Sequence, residues 1–94
     1  MALKLNSRIK ISKDVLFREL EGEAVMLNPQ NGVYFGLNQM GTILWALMQK
    51  QSRLSDILKS MTEQYEIDSK ICQEDLFRFV SHLEKNQLIE VHED

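Results

Sequence analysis

The chain contains one cysteine, Cys72, and one proline, Pro29, among its 94 residues. A lone thiol can form neither an internal disulfide nor a Cys-x-x-Cys metal or redox pair, so a reducing compartment is expected, with the cytoplasm as the default. Too few prolines and glycines are present for a flexible linker or a low-complexity tract. No stretch approaches the roughly 18 apolar residues of a membrane span, and the N-terminal MALKLNSRIKISKDVLF lacks the unbroken apolar core of a secretory signal. Basic charge is not in excess either. Eleven Lys and Arg stand against 14 Asp and Glu, a formal net charge of −3, whereas a nucleic-acid binder usually carries a basic stripe that replaces counterions on phosphate. Neither a membrane nor a nucleic acid is the expected partner.

What is present suits an ordinary globular fold, with 44% hydrophobic and 27% charged residues. The length leaves no room for a second independent core, so one domain over residues 1–94 is expected, its core spanning about residues 8–91. Apolar spacing changes near Asn38. Before it, Arg8 to Ser12 alternates with the period of a half-buried strand, Val15 to Leu20 reads as a strand or a connection, and Glu23 to Asn28 reads as a strand. Pro29-Gln30-Asn31-Gly32 has turn chemistry, and Val33 to Leu37 is the return strand of a β-hairpin. After Asn38, a suitable N-cap, three helices are predicted. They run over about Gln39–Lys50, from a Ser55 cap to about Tyr65, and from Asp68 or Ser69 to about Asn86. The stripes are Ile43, Leu44, Leu47 and Met48 with Trp45 at the edge, then Ile57, Leu58 and Met61, then Cys72, Leu76, Phe79, Val80 and Leu83. Gln87 to Val91 alternates as a short final strand. The predicted class is α+β: a winged helix-turn-helix with a small N-terminal three-stranded antiparallel sheet, three helices and a short wing.

Catalysis finds no support in these residues. His82 and His92 are too far apart for a metal motif and read as solvated surface residues. Cys72 has Ile71, Gln73 and Leu76 for neighbours, not the basic group that activates a thiol, and reads as a small core residue. Glu74-Asp75, Glu19 with Glu21, and Glu93-Asp94 read as solvated charges, and Gly32, Gly36 and Gly41 form no phosphate-binding pattern. No catalytic residue, metal ligand or cofactor site is expected. The third helix balances Lys70, Arg78 and Lys85 against Glu74, Asp75 and Glu84, which does not suit DNA readout.

An apolar surplus remains. Val33, Phe35 and Leu37 share one face of the return strand and Tyr34 lies on the other, so both faces carry bulk. Phe77 and Phe79 cannot both lie in the core stripe of the third helix. One reading is that the wing, the tail or a second copy covers the exposed sheet edge. The other is that the edge receives an extended peptide as an added strand. Periodicity does not separate the two.

The run LFRELEGEAVMLNPQNGVYFGLNQMGTILWALM, followed by EDLFRFVSHLEKNQLIEV, resembles the PqqD family of coenzyme PQQ synthesis protein D relatives. Tyr34-Phe35, Leu37-Asn38, Gly41, Leu44-Trp45, Tyr65, Asp75, Phe79, Leu83 and Leu88 carry the resemblance over about residues 15–91. It implies a non-catalytic recognition element for ribosomally made, modified peptides, without a cofactor of its own. A precursor's leader peptide would add to the edge of the sheet and lie against the third helix. The contact surface would be Val33, Tyr34, Phe35, Gly36 and Leu37, with Gln73, Phe77, Val80 and Glu84 on the helix. Implied partners are the leader peptide and a modifying enzyme such as a radical SAM protein, or a leader peptidase. A monomer or weak homodimer is expected. The sequence departs from the family where a glycine usually precedes the final leucine. Gln87 stands there, so Asn86 is expected to take the left-handed conformation that ends the helix. A glycine common after the first helix is also missing around Lys50-Gln51-Ser52. The competing readings are a winged-helix DNA-binding regulator and a structural subunit paired edge to edge with a second copy.

Overall fold

Residues 3–21 and 23–92 are described by a computed structural model, Leu20 by its backbone alone; the Glu93-Asp94 pair lies outside them. Strand β1 (Arg8–Ile11) comes first, followed by β2 (Leu16–Leu20), β3 (Glu23–Asn28) and β4 (Val33–Leu37). Helices α1 (Gln39–Met48), α2 (Leu54–Gln64) and α3 (Ser69–Lys85) come next, and β5 (Ile89–His92) closes the order. The fold is α+β, in the winged helix-turn-helix arrangement. No described helix is long and apolar enough to cross a membrane.

Two antiparallel sheets form. One has the order β2-β3-β4, with Phe17 opposite Met26 and Met26 opposite Phe35. In the other, β5 is the wing and pairs with β1, Ile9 facing Val91 and Ile11 facing Ile89. The alternating segment at the N-terminus is thus the partner of the wing.

The turn between β3 and β4 is built by its asparagines. Asn28 Oδ1 accepts from the Gln30 amide at 2.9 Å and Asn31 Oδ1 from the Val33 amide at 3.0 Å, while Gly32 takes φ +71°. Short Asn side chains can bond the backbone two residues on, and glycine adopts the left-handed region without a Cβ clash.

The helices end where capping groups stand, with one difference from the sequence reading. Asn38 Oδ1 accepts from the Gly41 amide at 2.8 Å, and Asp68 Oδ1 from Lys70 and Ile71 at 2.9 and 3.1 Å. Ser55, expected to cap α2, lies inside it. The Leu54 and Ser55 amides instead donate to the carbonyls of Ser7 and Leu5 at 3.0 and 2.8 Å. Tertiary backbone groups satisfy the helix N-terminus that a side chain was expected to satisfy.

One buried cluster joins Ala24, Met26 and Leu37 of the sheet to Leu44, Trp45 and Met48 of α1. It continues through Leu54, Ile57, Leu58 and Met61 of α2 into Cys72, Leu76, Val80 and Leu83 of α3. Trp45, expected at the edge of its stripe, is buried, its ring 6.5 Å from that of Phe17, while Ile43 and Leu47 are half-buried. Spacing fixes the period of a helical stripe but not its phase, and the sheet draws α1 towards Trp45.

At the end of α3, Gln87 itself takes the left-handed conformation at φ +61°, and Asn86 stays at φ −91°. The Leu88 amide donates to Leu83 O at 2.9 Å and the Gln87 amide to Glu84 O at 3.0 Å. This pair of bonds is a Schellman motif, which places the positive φ one residue beyond the cap and so at Gln87. The buried Asn28 side chain donates from Nδ2 to Gln87 O at 2.8 Å. The hairpin turn is thereby tied to the end of α3.

Candidate functional site

Strand β4 pairs with β3 on one side, and among the described residues nothing pairs with its other edge. Its sequence, VYFGL, carries no charge and no proline. The opposite edge of the sheet, β2, is LFREL, with Arg18 and Glu19. Edge charges, above all one pointing inward, discourage pairing with a foreign strand. Glu19 lines the α1 side of β2 beside Phe17 and Trp45. Of the two edges, β4 is the undefended one.

Side chains on β4 alternate as the sequence predicts. Val33 and Phe35 are half-buried and Leu37 is buried, whereas Tyr34 is 73% exposed and Gly36 is open. On the inner side the Phe35 ring stands edge-on to Phe79 of α3, with centroids 6.5 Å apart. Beside this pair lies a cavity of about 290 Å³ between the start of α1 and one flank of α3. Asn38, Met40, Gly41 and Leu44 line one wall, and Asp75, Arg78, Phe79 and His82 the other. Gly41 permits the close approach: a Cβ there would stand 3.2 Å from Phe79 Cε1 and 3.3 Å from Leu37 Cδ2. Asp75 and Arg78 pair at 3.4 Å on the rim, both well exposed, which adds little stability.

The helical residues expected to contact a peptide were Gln73, Phe77, Val80 and Glu84. Val80 is 0% exposed, part of the core, and offers no surface. At about 100° per residue, Phe77 lies about 160° around α3 from Phe79, and Gln73 and Glu84 lie on the Phe77 side. Phe79 is the residue of α3 whose ring meets β4, and Asp75, Arg78 and His82 lie on the same flank, facing the start of α1 across the cavity. Phe79 was assigned to the core stripe and His82 to the solvated surface. His82 is exposed, at the rim of the cavity. The missed signal was the pair of flanks itself, since an aromatic borders the buried seam of α3 on each side.

Cys72 is buried in the core, where desolvation, followed by the nearby Asp75 carboxylate, pushes its thiol above the ordinary range. Such a thiol is protonated and inert. Among the described residues no three His, Cys, Asp or Glu side chains converge as metal ligands would. The arrangement sets an unpaired strand edge near a cavity with an apolar floor of Met40, Leu44 and Phe79 and a polar rim of Asn38, Asp75, Arg78 and His82.

Comparison with known proteins identifies the family. The profile of the family described as coenzyme PQQ synthesis protein D (PqqD) matches residues 23–89. The chain belongs to the PqqD family. A solved structure, "TbiB1 in Complex with the TbiA(beta) Leader Peptide", is 32% identical to this PqqD-family chain. The match covers 90% of this chain and 99% of that one, with a TM-score of 0.79. A second, "Lasso peptide synthetase B1 complexed with the leader peptide", shares the fold at a TM-score of 0.73 and 20% identity, over 88% of this chain and 98% of that one. No curated protein sequence gives a significant match.

Proposed function

We propose that this PqqD-family chain captures the leader of a precursor peptide as a fourth strand on β4, and presents the precursor to an enzyme that modifies or cleaves it. The undefended β4 edge beside the Phe79 flank of α3 carries this reading. TbiB1, bound to a leader peptide, supports it over almost the full length of the chain. Affinity comes from backbone hydrogen bonds along β4, and register from alternate ligand side chains entering the furrow around Phe35, Phe79 and Met40. Binding is the whole of the chain's chemistry, and the partner enzyme, of the radical SAM type or a leader peptidase, supplies the reaction. Ordering a floppy leader consumes part of the interaction energy, so a moderate affinity follows.

A titration of labelled leader peptide by fluorescence anisotropy tests the reading. Phe35→Lys places a charge in the furrow and is expected to weaken binding by more than about tenfold, the scale of a buried aromatic anchor. Circular dichroism confirms that the variant folds. Undiminished affinity in a folded Phe35→Lys protein contradicts leader capture at β4.

A further inference from the structure

Glycine weakens a strand by about 0.5–1 kcal/mol relative to alanine, so a glycine inside an edge strand calls for a reason. Gly36 has none within the free chain. Its φ lies outside the left-handed region, and a Cβ built on it meets nothing within 4 Å. Gly32 and Gly41 differ, since the first has a positive φ and the second a ring against it.

The face on which Gly36 opens carries exposed apolar side chains. Leu16, Leu27 and Tyr34 form one cross-strand row on the outer side of the sheet, with Leu16 51% exposed. In the next row Arg18 is paired with Val25 and Val25 with Gly36. Where the row reaches the open edge the surface drops to bare backbone, with half-buried Val25 behind it and Tyr34 beside it. A large side chain on an added strand, pointing outward next to Gly36, can lie across the glycine, reach Val25 and flank the Tyr34 ring. Bulky residues cover edge glycines in this way, and diagonal cross-strand neighbours lie within reach of aromatic rings.

We infer that Gly36 is a specificity-determining notch on the outer face of the sheet, selecting a bound peptide that carries a large apolar or aromatic side chain at the position beside it. The inference rests on strand addition at β4 and adds a second point of recognition, on the side of the sheet away from the furrow.

A library of randomised linear peptides displayed on phage, selected on the wild-type chain, supplies the probe. The best selected peptide is then titrated, together with its single-alanine variants, against the wild type and Gly36→Phe. Phenylalanine favours strand geometry, and its Cβ would meet nothing within 4 Å in the free chain. On the wild type, alanine in place of one large outward residue is expected to weaken binding about tenfold, the order of one buried apolar side chain. On Gly36→Phe the preference at that position is expected to vanish or reverse, while the rest of the scan keeps its pattern. The same preference on both proteins, or selected peptides with only small residues at every outward position, would overturn the notch. If Phe35→Lys leaves the selected peptides fully bound, strand addition itself fails. The two failures are therefore distinguishable.

Discussion

Gln87, Asn28 and Cys72 show how much single side chains decide here. A left-handed backbone costs an L-residue about 1–2 kcal/mol, and Gln87 bears it at φ +61° because the two closing bonds of α3 fix that position. Reading the missing family glycine as a burden on Asn86 found the strain and misplaced it by one residue. Asn86 instead donates from its side chain to His82 O at 2.7 Å. Gln87→Gly is expected to raise stability by about 0.5–1 kcal/mol, since glycine's own entropy cost offsets part of the relief; urea denaturation measures it. Asn28→Ala should have the opposite effect, a loss of about 1–3 kcal/mol, because it removes the bond to Gln87 O at 2.8 Å and leaves a carbonyl without its partner. Cys72, legible in the sequence as a core residue, adds a pH dependence. Burial first, and then Asp75, keep its proton on in the native state at pH values where the unfolded chain has lost it. The unfolded state then binds fewer protons than the native state, so this contribution is complete below the ordinary thiol pKa and lost as pH rises through it towards the folded value. Cys72→Ala is expected to flatten the alkaline fall in urea midpoint between about pH 7 and 10.

Among the elements, β4 and α3 carry the proposed site, and they were legible to different degrees. The alternation of the strand was legible, with Val33, Phe35 and Leu37 on one face and Tyr34 on the other, whereas which face lies inward and whether the edge is open came only from the fold. The helix could be read only in part. Its period identified Cys72, Leu76, Val80 and Leu83 as buried, but a helical wheel does not state which side of a buried seam meets the sheet. Gln73, Phe77 and Glu84 were chosen on one side, and the fold set Phe79, on the other, against Phe35 of β4, with Asp75 and His82 lining the cavity beside it. The choice depends on how the hairpin is tied to the end of α3, through Asn28 and Gln87, a contact 59 residues apart in sequence. Alanine substitutions separate the two flanks. Phe79→Ala should weaken leader binding about tenfold or more, and Phe77→Ala should leave it within about twofold. Both truncate half-buried aromatics, so both lower stability, and titration of the folded variants distinguishes the two roles.

At the scale of the whole molecule, a helical scaffold with its wing closed against β1 leaves the β4 edge of the three-stranded sheet without a partner among the described residues. The net charge of −3 and the apolar furrow imply recognition that depends little on counterion release. Leader affinity is expected to change less than about threefold between roughly 50 and 300 mM salt, where a DNA complex would lose orders of magnitude. The most direct measurement is amide hydrogen exchange along Val33–Leu37 with and without saturating leader peptide. Strand addition is expected to slow the amides on the open side of β4 by at least about tenfold, because they then donate hydrogen bonds to carbonyls of the bound peptide. A peptide that binds at full affinity while those amides exchange as fast as in the free chain would contradict capture at this edge.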